Sequence, residues 1–218
     1  MPAKPRFTRE QLQIAALKIV DEEGLSALSM RALAAALGTG PMTIYNYFRD
    51  RDELDTLLVE AVLSEVTLPE EQDDWQEGVK AILRQMWQAI RSHPNVIPIV
   101  LLRRTGHEIT LEIAEALLRE LSRSGCSAGV LLAAFRTLNG FVVGLAQAQL
   151  GGAAGGLAGG TDAHVSEVES LPGDRFPRLR EIARVAARTN SDEEFRVGVE
   201  FILAGMTTQS ATRIERKF

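Results

Sequence analysis

Only one cysteine, Cys126, occurs in the 218 residues, so no disulfide can form within the chain, and a reducing cytosol is the expected compartment. Histidine is nearly as scarce. His93, His107 and His164 stand far apart and form no ligand spacing such as H-x-x-x-H. Neither a G-x-S-x-G nucleophile turn nor a phosphate-cradling glycine motif is present. The glycine run after Leu150 lacks the strand before and helix after that a dinucleotide site requires. Catalytic residues, a metal site and a cofactor are therefore not expected. The N-terminal MPAKPRFTREQ has no apolar core of a secretory signal. The longest apolar run, around residues 137–146, is too short to span a bilayer, so no membrane partner is expected. No segment alternates with period two, which removes the signal for strands.

What remains is helical periodicity, and the expected class is all-α. Thr8 and Gln11 form a capping box, and apolar residues then recur from Leu12 to Val20 until Gly24 stops the helix. Ser29 opens a short second helix that Gly38 ends. A third begins at Gly40 or Pro41, and Asp50 or Asp52 opens a fourth. Further on, Asp73 and Gln76 cap a helix halted by His93-Pro94. Residues 95–104, broken by Pro98, read as a short helix or turn. From Glu108 to Ser124 a stripe of Leu111, Ala114, Leu117, Leu118 and Leu121 faces a core. Residues 127–150 are apolar nearly all round and demand cover on several sides, with Gly140 and Gly144 offering close approach. Six glycines in residues 151–160 predict a mobile loop through Gly173. Residues 177–188 suit a short helix, and Ser191 with Glu194 caps the last one.

Charge is unevenly placed. The first 51 residues carry seven Lys/Arg against five Asp/Glu, and the remainder 17 against 24. A mildly basic front on an acidic chain suits an N-terminal end that meets an anionic partner. Both tyrosines also sit there, in GTGPMTIYNYFRDRDEL, residues 38–54. Two short helices joined by Gly38-Thr39-Gly40 are the plan of a helix-turn-helix, whose second helix enters the major groove of DNA. On a wheel of about 100° per residue, Pro41, Ile44 and Phe48 face the core. Met42, Thr43 and Asn46 point away, with Tyr45 and Tyr47 on the flanks. Thr43 and Asn46 carry groups that read base edges, and Met42 lies among them. Tyr45 and Tyr47 have the reach of phosphate contacts on the groove walls. Ser29 sits at a helix start, an anion-binding position, and Arg31 and Arg51 add charge. Thr39 and Gly40, in the turn, complete the expected DNA-binding set. Tyrosines at core edges would give the same spacing.

Residues 7–63 resemble the DNA-binding domain of the TetR family of transcriptional regulators. The resemblance rests on Gly24-Leu25-Ser26-Ala27-Leu28-Ser29, Leu33-Ala34, Leu37-Gly38, Ile44-Tyr45-x-Tyr47-Phe48 and Arg51-x-x-Leu54. It implies a homodimer that places each third helix in a major groove of a palindromic operator. It also implies a helical C-terminal domain that binds a small effector and so respaces the two readers. The expected domains are residues 1–51, the helix-turn-helix reader, and 52–218, the ligand-binding and dimerisation domain. Helix 52–66 connects them, and 151–173 is the loop.

More weakly, DDWQEGVKAILRQMWQAIRSHP, FRTLNGFVVGL and DEEFRVGVEFILAGM resemble the C-terminal domain of the tetracycline repressor. That repressor coordinates a drug-bound magnesium with a histidine shortly after its Ser-His segment. Here the matching stretch offers Val100, so a magnesium–tetracycline effector is not expected. Trp87, Ile90, Ile97, Val100 and Leu101 are candidates to line an apolar cavity, as are Leu118, Phe135 and Val142. Asn139 and Arg103 or Arg104 would be its polar handles. The same spacing also suits plain core. Helices 127–150 and 191–213 carry more apolar surface than the chain can cover, as a four-helix bundle across a two-fold axis would require. The expected function is a ligand-responsive repressor released by a small apolar or amphipathic effector. An effector-independent DNA-binding regulator, or a helical binding protein without DNA recognition, stands as the alternative.

Overall fold

The computed structural model of the chain describes residues 6–102, 108–150, 162–186 and 188–215, and every regular element among them is helical. The first helix, α1 (Arg9–Glu23), starts on the expected capping box. The Thr8 hydroxyl accepts the Gln11 amide at 3.2 Å, and Gln11 Oε1 accepts the Thr8 amide at 2.9 Å. Gly24 ends it at φ 86°, a backbone region that favours glycine. Ser29 Oγ accepts the Ala32 amide at 3.1 Å and so opens α2 (Met30–Ala36). Such a cap is worth about 1 kcal/mol. Gly38, at φ 60°, turns the chain toward α3 (Pro41–Tyr45). Of the two aspartates proposed to open α4 (Arg51–Leu63), Asp50 is the cap, accepting the Glu53 amide at 3.0 Å.

Further along are α5 (Trp75–Ser92), α6 (Ile97–Leu102), α7 (Glu108–Ser122) and α8 (Ala128–Leu150). The last three are α9 (Asp162–Glu169), α10 (Pro177–Ala186) and α11 (Ser191–Glu215). Two compact units result. Met1–Glu70 joins Ile82–Ala116 in one, and Glu71–Ala81 joins Leu117–Phe218 in the other. In the first unit α4 is buried nearly all round, from Leu54 to Leu63, and packs against α1 and α6. A three-helix reader of this size has little core of its own. Leu12, Val20, Leu33, Ile44 and Phe48 are all buried in it, and Leu54, Leu57 and Leu58 of α4 add to that core. In the second unit α8 packs on α11, and α9 on α10.

Several local expectations shift. Asp74, not Asp73, caps α5, accepting the Gln76 amide at 2.9 Å. Asn190, one residue earlier than Ser191, caps α11 by accepting the Glu193 amide at 2.8 Å. Residues 162–169, expected within a loop, form α9, while 151–161 lie outside the described residues. The buried stripe of α7 is rotated. Ile113, Ala116, Leu117, Glu120 and Leu121 are inside, and Leu111 is 58% exposed. Glu120 goes inward because Arg123 meets its carboxylate at 2.7 Å while donating to the Gln72 and Asp73 carbonyls at 2.7 and 2.8 Å. Gly78 leaves room for it: a Cβ there would lie 2.4 Å from Glu120 Oε2. Gly140 and Gly144 face open space in the single chain, and within it α8 and α11 approach closely at Gly198, where a Cβ would lie 2.1 Å from the Phe141 ring.

By length and composition alone, Ala128–Ala148 of α8 is long and apolar enough to cross a membrane, longer than the run seen in the sequence. Within the second unit Ala134, Leu138, Val142 and Ala146 form its one buried stripe, at successive turns. The opposite side leaves Leu132, Ala133, Arg136, Thr137, Gly140 and Gly144 exposed. On α11 Phe201 is 74% exposed, with Ala204 and Gly205 beside it.

Candidate nucleic-acid interface

Helix α3 is one and a half turns long, so its first residues and the turn before it form the reading surface. Ile44 is fully buried and Phe48 nearly so, which anchors the helix by the side the wheel assigned to the core. Pro41 departs from that wheel. At the first helical position it is exposed. Met42 is 77% exposed, Asn46 is exposed, and Thr43 is half-buried. Thr39 Oγ1 donates to Thr43 Oγ1 at 3.0 Å, tying the turn to the helix. Gly40 is the N-cap of α3, with a Cβ position in open space.

The two tyrosines are not equivalent flanks. Tyr45 is 52% exposed. The Tyr47 ring is half-buried beside Phe7 and Phe48, with centroids 6.4 Å away in each case, and its hydroxyl accepts the Phe7 amide at 2.8 Å. Arg31 is exposed on α2, and Ser29 Oγ is engaged as the α2 cap. Arg51 has partners within the reader. It donates to Asp55 Oδ1 at 2.6 Å, to the Leu25 carbonyl at 3.1 Å and to the Leu28 carbonyl, stitching the start of α4 to the loop before α2.

Sequence reasoning missed a second set of polar contacts, which ties α1 to the chain behind the reader. At one end of α1, Arg9 donates from Nε to Glu60 Oε2 at 2.9 Å, with Nη2 on the same oxygen. At the other end, His93 sits between two carboxylates. Its Nδ1 is 2.8 Å from Asp21 Oδ2 and its Nε2 is 2.9 Å from Glu65 Oε1. Asn95 Nδ2 donates to the Val20 carbonyl at 2.9 Å. In the sequence His93 reads only as a helix stop, because Asp21 and Glu65 are distant along the chain.

Burial of the imidazole works against its cation. Hydrogen bonds and charge from Glu65 and Asp21 outweigh it, so the pKa rises above the ordinary 6.5. The folded value exceeds the unfolded one, so the clamp contributes fully below pH 6.5 and is lost as pH rises through the raised value. Denaturant unfolding of wild type against His93→Gln, from about pH 6 to about pH 9, checks this. The stability difference between the two is expected to shrink with rising pH.

The effector candidates divide between the two units. In the first, Trp87, Ile90 and Ile97 are buried to 2% exposure or less, and Val100 is half-buried. The Leu101 side chain, Arg103 and Arg104 lie outside what the structure describes. In the second, Val142 is fully buried, while Leu118, Phe135 and Asn139 are half-buried. Asn139 Nδ2 donates to the Phe135 carbonyl one turn back, at 2.8 Å. Among the described residues no group of three or more His, Cys, Asp or Glu is placed to hold a metal ion.

With this geometry in place, comparison with known proteins is informative. Residues 14–54 match the model of bacterial regulatory proteins of the tetR family, and residues 68–210 that of the tetracyclin repressor-like C-terminal domain. The HTH-type transcriptional repressor DrrR1 of Streptomyces coeruleorubidus is 32% identical over 149 residues, covering 67% of this chain and 55% of that protein. The chain thus spans little more than half the length of that relative. The class A tetracycline repressor of transposon 1721 from Escherichia coli is 32% identical over 196 residues, covering 88% of this chain and 87% of its own. Among solved structures, apo ActR from Streptomyces coelicolor superposes with a TM-score of 0.81 at 31% identity, over 97% of this chain and 100% of ActR. ActR in complex with actinorhodin gives 0.78 at 30%, over 93% and 96%. The matched models together cover the reader and most of the C-terminal helices: the chain belongs to the TetR family of bacterial transcriptional regulators.

Proposed function

We propose that this protein is a ligand-responsive transcriptional repressor that binds a palindromic operator as a homodimer in the cytosol. The observation that carries the reading is the surface at the head of α3. A left-handed glycine turn presents exposed Met42, Tyr45 and Asn46 and half-buried Thr43 on a helix anchored by Ile44 and Phe48. Asn46 suits an adenine edge and Thr43 a thymine methyl or either kind of hydrogen bond. Tyr45 suits a backbone phosphate. Two such readers, one per subunit, bind half-sites about one helical turn, roughly 34–36 Å, apart.

Release requires an effector with different affinity for the two reader spacings, a coupling of about 1–3 kcal/mol. Helix α4 is the lever, since α1 and α6 both pack against it in the first unit. ActR's complexes with actinorhodin and with (S)-DNPA support a small-molecule effector for this chain as well. A half-buried Val100 where the tetracycline repressor places its magnesium-coordinating histidine favours an apolar or amphipathic compound over a metal–drug complex.

Selection of duplexes from a random-sequence pool tests the reading. Enrichment of a palindrome with half-sites one turn apart is the expected result, and no enrichment at low salt overturns it. On the enriched duplex, Asn46→Ala and Thr43→Ala are expected to relax base preference at single positions, by about 1–3 kcal/mol for a bidentate contact. Binding of single-base variants of that duplex measures the effect.

A further inference from the structure

The segment 38–48, GTGPMTIYNYF, holds no Asp, Glu, Lys or Arg. The surface that enters the groove therefore brings no formal charge of its own, although phosphate neutralisation dominates the affinity of DNA-binding proteins. Several of the reader's cations are committed elsewhere. Arg9 is on Glu60, Arg49 is 3.4 Å from Glu53, and Arg51 is on Asp55 and two carbonyls. Arg6 is different. It precedes α1, yet its Nη1 donates to Thr39 Oγ1 at 3.2 Å, and Thr39 in turn reaches Thr43. A residue 33 positions away in sequence thus sets a guanidinium against the head of the recognition helix.

Its placement is held from behind. The next residue, Phe7, donates its amide to the Tyr47 hydroxyl at 2.8 Å and sets its ring beside the Tyr47 ring. The Arg6 guanidinium lies 5.4 Å above the Phe7 ring, a cation–π distance. A phenol that accepts from Phe7 keeps its own proton to donate, so Tyr47 can fix the arm whatever else it meets.

We propose that Arg6 is a DNA-contacting residue that neutralises an operator phosphate beside the first turn of α3, and that Tyr47 is the positioning residue that holds Arg6 there through Phe7. The proposal rests on the operator-binding reading above. A weak hydrogen bond from a charged guanidinium to a threonine hydroxyl is readily exchanged for a phosphate, which offers the cation a far stronger partner. Because the contact is to backbone, it positions the reader without choosing a sequence.

Affinity of a duplex selected by the wild-type protein, measured against salt concentration, tests this with Arg6→Ala, Arg6→Lys, Tyr47→Phe and the Arg6→Ala/Tyr47→Phe double variant. Arg6→Ala is expected to lower the salt slope by about 0.9, the share of one phosphate, and to weaken selected and unrelated duplexes by the same factor. Arg6→Lys restores the slope. Tyr47→Phe weakens binding in the wild-type background and has little further effect once Arg6 is gone. An unchanged slope in Arg6→Ala overturns the phosphate contact. Equal losses from Tyr47→Phe in both backgrounds overturn its positioning role and assign the phenol a direct DNA contact. A wild-type protein that selects no duplex refutes the operator-binding reading itself.

Discussion

Phe201→Glu in α11 is expected to split the dimer and to weaken operator binding by about 10²–10⁴-fold, the range by which two linked contacts exceed one. Phe201 is 74% exposed in the single chain, and Ala204 and Gly205 beside it are exposed too. On α8 the outward side is Leu132, Ala133, Arg136, Thr137, Gly140 and Gly144. Small residues on one helix and a large ring on the other suit helices that approach closely across a two-fold axis. The opposite faces are already used. Phe195, Val199, Leu203 and Met206 of α11 and Ala134, Leu138, Val142 and Ala146 of α8 are buried within the second unit. A carboxylate at position 201 would therefore spare the fold of the chain and penalise only the surface where the copies meet. Sedimentation separates the outcomes. A monomer with unchanged helicity and lost operator affinity is the expected result. A variant that stays dimeric at low micromolar concentration would move the interface away from α11.

The helical plan of the reader was legible because its signals are local. Thr8 with Gln11, Ser29 as a cap, and the glycines at 24 and 38 each act within one turn of the chain, and each does in the structure what its neighbours imply. Ile44 and Phe48 were equally legible, since a five-residue helix anchored on one side leaves few choices. Contacts between distant residues were not. Nothing near Tyr47 announces that its hydroxyl belongs to Phe7, and nothing near Arg51 announces the carbonyls of Leu25 and Leu28. The α7 stripe failed for the same reason. Leucine content argued for Leu111 inside, but a buried carboxylate on Glu120, held by Arg123 and admitted by Gly78, turned the helix. Charged residues read as surface by default, so a charge drawn inward by a distant partner defeats a pattern of apolar positions.

Glu60 is the other such charge, and it yields an asymmetric pair of mutants. Its side chain is 1% exposed in the middle of α4, whereas Arg9, its partner on α1, is 51% exposed. Removing the cation withdraws compensation from a carboxylate that water cannot reach. Removing the carboxylate frees an arginine that water already touches. Arg9→Ala is therefore expected to destabilise the first unit by about 3 kcal/mol, the lower end of what breaking a buried pair costs, because half of the arginine is solvated. Glu60→Leu, which puts a side chain of similar volume on a helix buried nearly all round, is expected to be near neutral. In the Glu60→Leu background, Arg9→Ala should lose most of its effect. Denaturant unfolding of the four proteins closes the cycle. A small and equal loss in both single variants would make this an ordinary surface bridge, worth at most about 1 kcal/mol. The asymmetry matters beyond stability, because this pair and the His93 clamp hold the two ends of α1 by different chemistry. Arg9–Glu60 fastens α1 directly to α4. His93 fastens the far end to Glu65 and loosens as it deprotonates. With His93 deprotonated, more of the hold on α1 falls to Arg9. Arg9→Ala should therefore alter operator affinity more above the raised His93 pKa, where the second fastening is lost, than below it.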